Sequence, residues 1–397
     1  MDNIDEVLTR AVDKIYPSKK ALNKFLRSGQ KLKLYQGFDP TGIQLHIGHM
    51  TGLMKLRQFQ KLGHHVIFLI GDGTGQAGDP SGKSRSREKY LKIEELKQNA
   101  KDYVLQASKI VNFSGENAAQ ILYNSDWLNK LTLVDILNIA GHFSLQQLEE
   151  RDMFIERKKR GETISMREFL YPLLQGYDSV AMDVNMEIGG SDQMFNMLCG
   201  RTLVDAYLHK EKYVLTTPLL TDSEGKKIGK TEGNVIALTS PPKEFFGMIM
   251  NLPDDVIIKS FEYITDVPME EINTYKKAID QGENPMKYKK LLAYTLTRML
   301  NNKEAAEEAQ KEFEKIFQKH DIPENIQKIS VHDYEINLVN LLVDSKLVPS
   351  RSEVKRLIIQ GGIEVDSVKI TNPNYFMKVK SGIIIKIGKR KFVQIIR

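Results

Sequence analysis

Val66-Ile67-Phe68-Leu69-Ile70 is a run of five apolar residues with β-branched members, the pattern of a strand buried on both faces. Ahead of it, Lys33-Leu34-Tyr35-Gln36-Gly37-Phe38 reads as another strand, running into a turn at Asp39-Pro40-Thr41-Gly42. A helix is expected between them, from about Ile47 to Leu62. Strand, crossover helix and strand make the βαβ unit of a parallel sheet. An N-terminal helical stretch, about Asp5 to Ser28, precedes this unit, and helices alternate with short strands such as Ile121 to Asn124 up to about Leu220. From Pro242 to about Lys319 the strand pattern disappears, and Glu304 to Phe317 has the periodicity of a surface helix. The stretch 321–335 contains Pro323, lacks clear apolar periodicity and is expected to be a linker. Helices at about 336–344 and 350–359 follow. Gly361-Gly362 stops the second, and short β-runs are expected at 363–365, 368–370, 383–387 and 392–396.

A chain of 397 residues exceeds one hydrophobic core, so two or three domains are expected. The composition is that of a soluble protein, 41% hydrophobic and 27% charged. The N-terminus has neither a basic segment nor an apolar one of the targeting kind, and no apolar run reaches membrane-spanning length. Cys199 is the single cysteine, which excludes an internal disulfide and a cysteine-based zinc site. It stands in an apolar helical stretch, the setting of a buried structural thiol, and a cytoplasmic location is expected. Charge is uneven. The segment 340–397 holds 12 Lys and Arg against 4 Asp and Glu, so it carries the whole excess of a chain whose net charge is +6. Such clustering suits a phosphate-backbone partner, although a solvated basic tail has the same composition.

Two short motifs carry chemistry. His46-Ile47-Gly48-His49 stands at the start of the helix that follows the first strand. A helix N-terminus offers N–H groups and partial positive charge to phosphates, two histidines three residues apart share one side of the first turn, and Gly48 lets a base approach the backbone. Alone, this is more often surface decoration or a weak metal pair. The second motif, Lys227-Ile228-Gly229-Lys230-Thr231, lies among turn residues between two apolar runs, where mobile cations can tighten on a polyphosphate in a transition state. A lysine-rich loop alone is usually just solvated; both motifs in this order on one parallel-sheet domain are much more specific.

Together these motifs resemble the HIGH and KMSKS signatures of class I aminoacyl-tRNA synthetases, with Ile228 and Gly229 departing from the second. Tyr35 to Thr41, Gly78 to Lys83, Tyr171 to Asp178 and Gly189 to Gln193 are similar to the bacterial-type tyrosyl-tRNA synthetase family, and Ser350 to Ile370 resembles an S4-type RNA-binding domain. The resemblance implies a Rossmann-type parallel-sheet α/β catalytic domain (1–241), an α-helical domain (242–320), a linker (321–335) and a small α+β S4-like domain (336–397). It implies activation of L-tyrosine by ATP with Mg2+, transfer to tRNA, a homodimer built around 125–167, and no resident metal. Carried over position by position, Tyr35 and Asp178 hold the substrate phenol, Tyr35 donating and Asp178 accepting. Asp79, Tyr171 and Gln175 surround the α-ammonium, and Asp39 and Gln193 lie near the reacting carboxylate and α-phosphate. Thr41 and His46 stabilise the leaving phosphates. Gly48, His49, Gly190 and Asp192 hold the adenosine, and Lys83, Arg87, Lys227, Lys230 and Thr231 close over the pyrophosphate. In the S4-like segment Arg351, Lys355, Arg356, Lys389 and Arg390 are the RNA-contacting candidates.

Two other patterns compete. Gly73 to Gly78 fits the G-x-G-x-x-G dinucleotide fingerprint, but no helix obviously begins there and no acidic residue ends a following strand at the right distance. Ala77 to Ser84 approaches a phosphate-binding loop, yet Ala77 replaces its first glycine and Pro80 removes an N–H. A tryptophanyl relative, or an RNA-binding protein that keeps the fold without the chemistry, are the remaining alternatives. The phenol-reading pair Tyr35 and Asp178 argues against the first, and the intact His46, His49, Lys227 and Lys230 against the second.

Overall fold

The computed structural model describes the chain except Met1, Ile43, 82–90, Gly229, 232–233, 318–325, 332–333, Ser367, Ser381, 389–390 and Arg397; six further side chains, at 152, 230, 231, 234, 316 and 317, also lie outside the description. The run after His65 forms a strand whose five apolar residues are all buried. It belongs to a six-stranded sheet of β1 (Lys14–Tyr16), β2 (Lys33–Phe38), β3 (His65–Ile70), β4 (Gln120–Tyr123), β5 (Met186–Gly190) and β6 (Tyr213–Thr217), ordered β1-β6-β5-β2-β3-β4. The four pairings from β6 to β4 are parallel, and β1 closes the edge antiparallel to β6. From β2 the chain builds outward through β3 to β4, then returns to lay β5 on the other side of β2. That reversal leaves a crevice at the C-terminal ends of β2 and β5, where open α/β sheets bind ligands.

The N-terminal expectation needs correction. Instead of one helical stretch there is a short helix Asn3–Val7, then β1, then a helix Lys19–Arg27 capped by the Ser18 side chain. Pro17 explains the break: it disfavours helix for the residue before it, and pairing with β6 supplies the backbone partners that a helix would have given. A second correction concerns the glycine-rich segment, where a helix does begin, at Thr74. It runs only to Ala77, a single turn that cannot serve as the long helix of a dinucleotide site.

The helices Pro242–Met250, Ile257–Ile264, Met269–Asp280, Pro285–Leu300 and Lys303–Phe317 follow the sheet. By its internal contacts the chain forms two compact units, 1–309 and 310–397, so most of this helical region belongs with the sheet. Arg10 fastens it there, donating to the carbonyls of Phe261, Glu262 and Thr265.

In the second unit β9 (Gln327–Ser330) lies where a linker was expected, and β10 (Glu335–Asn337) takes the end of that stretch and the first residues of the helix expected from 336. β9 has a single apolar side chain, Ile329, which gives no readable period. It is specified by the backbone edge of the last strand, with which it pairs in parallel. The remaining strands are β11 (Ile363–Val365), β12 (Val368–Lys369), β13 (Phe376–Lys378), β14 (Ile384–Ile387) and β15 (Lys391–Ile396). They form a five-stranded sheet β12-β11-β14-β15-β9 and a pair β10-β13. The helices Leu338–Asp344 and Arg351–Ile359 pack Leu338, Leu342, Val354 and Ile358 into a core with Ile385, Val393 and Ile395.

Candidate active site

The crevice at the reversal is a cavity of about 370 Å³. Its walls come from β2 and the turn after it (Tyr35 to Thr41), the end of β5 (Glu187 to Gly190), the helix Met166–Ala181 and the start of the helix Ile47–Lys61. Tyr35, Asp39, Thr41, His46, Gly48, His49, Asp79, Tyr171, Gln175, Asp178, Gly190, Asp192, Gln193 and Lys227 all line it.

At its inner end Tyr35 and Asp178 are buried. The Tyr35 hydroxyl lies 2.9 Å from Ser179 Oγ. Burial, then the charges of Glu187 and Asp178, push the Tyr35 phenol well above its usual pKa, so it stays protonated and able to donate. Asp178 accepts from Trp127 Nε1 at 2.8 Å and from Asn124 Nδ2 at 3.0 Å. Burial raises its carboxyl well above the usual range, while these two donors oppose the shift. Asn124, Trp127 and Ser179 are site residues that sequence reasoning missed. Asn124 and Trp127 follow β4 rather than any of the motif segments, and their sole sequence signal was the end of a strand.

The carboxylates of the rim sort into pairs. Asp39 accepts from Tyr171 Oη at 2.9 Å and Thr74 Oγ1 at 2.7 Å. Burial and then Asp39 keep the Tyr171 phenol protonated. Asp79 accepts from Ser81 N–H at 2.8 Å and Gln193 Nε2 at 2.9 Å, and Gln193 Oε1 in turn accepts from Asn196. Gln193 thus sits with Asp79, whereas Tyr171 is tied to Asp39. A third carboxylate, Glu187, was not anticipated. It accepts from Gln175 Nε2 at 3.0 Å and is ion-paired with fully buried Lys212.

The two motifs meet at the cavity mouth. His46 caps the helix Ile47–Lys61, its Nδ1 accepting from Gly48 N–H at 3.2 Å, while His49 Nδ1 accepts from His46 N–H at 3.1 Å. With both Nδ1 atoms accepting, each neutral ring carries its proton on Nε2. The segment after the lysine loop pairs directly with the histidine motif: Ile47 N–H donates to Ile236 O and Leu238 N–H to Leu45 O. A Cβ on Gly48 would come within 3.3 Å of Ile228 O, so the loop needs that glycine to lie over the helix start. Lys227 reaches Asp192 at 2.8 Å. β7 (Lys230–Thr231) pairs with a two-residue strand Asn234–Val235, the Lys230 and Thr231 side chains lying outside the description. Lys83, Arg87, Lys389 and Arg390 fall outside the described residues. In the second unit Arg351, Lys355 and Arg356 are exposed on one helix, Arg356 paired with Glu353 at 2.6 Å. Cys199 is buried, its thiol pushed up to about 12 chiefly by that burial, which makes it inert.

Residues 27–318 match the family of class I tRNA synthetases (W and Y), and 312–395 match the C-terminal domain of the tyrosine–tRNA ligase type. A tyrosine–tRNA ligase of Thermotoga maritima is 39% identical over 98% of this chain and 96% of its own length. One from Dehalococcoides mccartyi is 40% identical over 98% of both. Among solved structures, a C-terminally truncated mitochondrial tyrosyl-tRNA synthetase of Coccidioides posadasii superposes with a TM-score of 0.63 at 25% identity, over 78% of this chain and 91% of that one. A tyrosyl-tRNA synthetase from Archaeoglobus fulgidus, complexed with L-tyrosine, shares the fold at a TM-score of 0.62 and 19% identity, covering 78% of this chain and 100% of that one.

Proposed function

This chain belongs to the tyrosine–tRNA ligases, within class I tRNA synthetases, and from that premise we propose how its residues divide the reaction. The enzyme activates tyrosine with ATP and charges tRNA. In the first step a tyrosine carboxylate oxygen bonds to the α-phosphorus of ATP and the bond to the β,γ-phosphates breaks, releasing pyrophosphate. In the second a terminal ribose hydroxyl of the tRNA attacks the activated carbonyl, and AMP leaves. Positioning and charge stabilisation suffice for the first step, without a side-chain nucleophile.

In our reading Asp178 accepts the phenol proton of tyrosine. Ser179 donates to Tyr35, which frees the Tyr35 proton for the phenol oxygen. Asp79, Gln175 and Tyr171 surround the α-ammonium, with Asp39 and Gln193 beside the reacting groups. Thr41, His46 and the lysines of the loop, with Lys83 and Arg87, stabilise the phosphates; Gly48, His49, Gly190 and Asp192 receive the adenosine. ATP would enter as its Mg2+ complex, with the ion held mainly by its phosphates. The basic helix at Arg351–Ile359 reads the tRNA backbone, and catalysis, helical support and RNA binding divide at about 241 and 336. Work in the cytoplasm and as a homodimer completes the reading. Leu133, Val134 and Leu137 are each more than 60% exposed on one helix near Leu145, a patch suited to a second copy.

The meeting of the histidine motif, the lysine loop and the Tyr35–Asp178 pair in one cavity carries this assignment. Pyrophosphate exchange measured with each amino acid in turn tests it: exchange should require tyrosine, and exchange with tryptophan instead would overturn the assigned pocket.

A further inference from the structure

Gln175 presents an unbalanced amide. Its Nε2 donates to Glu187, whereas its Oε1 is buried and lacks a hydrogen-bond partner among the described residues. A carboxylate can only accept, so chemistry fixes which end of the amide faces Glu187. The oxygen is thereby left as an acceptor in the cavity wall, and a buried orphan acceptor is costly unless a ligand donor meets it.

As a carboxylate paired with Lys212, Glu187 accepts and never donates, which is what fixes the amide. A neutral carboxylic acid could donate to the amide oxygen and let the group turn over. Lys212, the residue before β6, supplies the opposing charge. It is fully buried, ion-paired with Glu187, donates to Met197 O at 3.2 Å and lies 5.9 Å from the centre of the Tyr35 ring. The helix Met194–Leu208 carries a glycine here at some cost to its own stability, and the reason is visible. A Cβ at Gly200 would run into Lys212 Nζ and come within 2.9 Å of Ser179 Oγ.

We propose that the buried Lys212–Glu187 pair is a positioning device that locks the Gln175 amide oxygen toward the α-ammonium of tyrosine. It rests on the reading that Gln175 receives that ammonium. The pair acts through Gln175, so its effect belongs to recognition of the amino group.

The test compares tyrosine with 3-(4-hydroxyphenyl)propanoate, which lacks the ammonium. Lys212→Met should raise KM for tyrosine about tenfold to a hundredfold. KM for ATP and the inhibition constant of the propanoate should change little. The charge-free pair Glu187→Gln with Lys212→Met keeps an acceptor for Gln175 but adds a competing donor, and should recover part of the discrimination. Glu187→Leu with Lys212→Met removes that acceptor and should not. Comparing these two double variants keeps the test decisive even where a lone buried carboxylate prevents Lys212→Met from folding. Equal weakening of tyrosine and propanoate, or indistinguishable double variants, would overturn the proposal. Gln175→Ala separates the underlying reading: if it leaves discrimination intact, Gln175 does not hold the ammonium; if it abolishes discrimination while Lys212→Met does not, only the positioning role fails.

Discussion

Asp178 shows how one side chain can be both recognisable and misleading in isolation. Its two oxygens already accept from Trp127 and Asn124, so it is held rigidly, and burial has raised its pKa. In the proposed role the carboxylate form accepts the phenol proton, and that form is lost as pH falls through the raised value. KM for tyrosine should therefore rise on acidification at a pH above the ordinary carboxylate range. The Asp178→Asn enzyme should show a higher KM, about tenfold to a hundredfold, with little pH dependence over the same interval. Steady-state pyrophosphate exchange across pH measures both. The identity of Asp178 was legible because it stands in a motif, but its donors were not, because Asn124 and Trp127 reach it across the crevice from β4.

At the level of elements, the lysine loop and the histidine helix are bound to each other through backbone pairing at Leu45 to Ile47 and Ile236 to Leu238. Lys227 is paired with Asp192. In the proposed reading ATP engages Asp192 through its ribose, which would free Lys227 for the phosphates. Lys227→Ala should slow adenylate formation by a few kcal/mol, while tyrosine affinity barely changes; pre-steady-state rates and tyrosine binding measured on one preparation distinguish the two. The other face of the same helix is anchored by buried Lys55, which donates to the carbonyls of Val7 and Arg10. Burial depresses its pKa to about 7, against 10.5 when exposed. Below pH 7 both folded and unfolded states carry the charge and the cost of burying it is fully present; above that the folded state sheds the proton and the cost recedes. The Tm difference between the natural enzyme and Lys55→Met should accordingly shift in favour of the natural enzyme as pH rises from 7 toward 10.

For the whole molecule, the division into units at 309 and 310 separates the cavity from the basic segment. A chain ending at Phe317 removes every strand of the second unit, including β9, and should retain tyrosine-dependent pyrophosphate exchange. Charging of tRNA should fall sharply, since several phosphate contacts are lost together. Arg351→Glu with Lys355→Glu should reproduce part of that loss and flatten its salt dependence. Normal charging by the shortened enzyme would deprive the basic unit of an RNA role. The apolar helix Leu133–Ala140 makes a separate prediction: Val134→Asp with Leu137→Asp should convert a dimer to a monomer in sedimentation.

Periodicity and local chemistry along the chain sufficed for β2, β3, the histidine helix, the lysine loop and the two helices of the basic unit, because each is specified by its own residues. A buried parallel strand needs an unbroken apolar run, and a phosphate-binding helix start needs small or donor side chains at fixed spacing. Tertiary structure decided what depends on partners far along the chain. β1 and β9 exist because an open sheet edge offers backbone hydrogen bonds, not because Lys14–Tyr16 or Gln327–Ser330 has a marked pattern. The Lys212–Glu187 pair, separated by β5, a helix and the entry to β6, reads in sequence as two ordinary charged residues. Only folding removes both from water, and only there does a lone pair of opposite charges gain the strength to orient an amide.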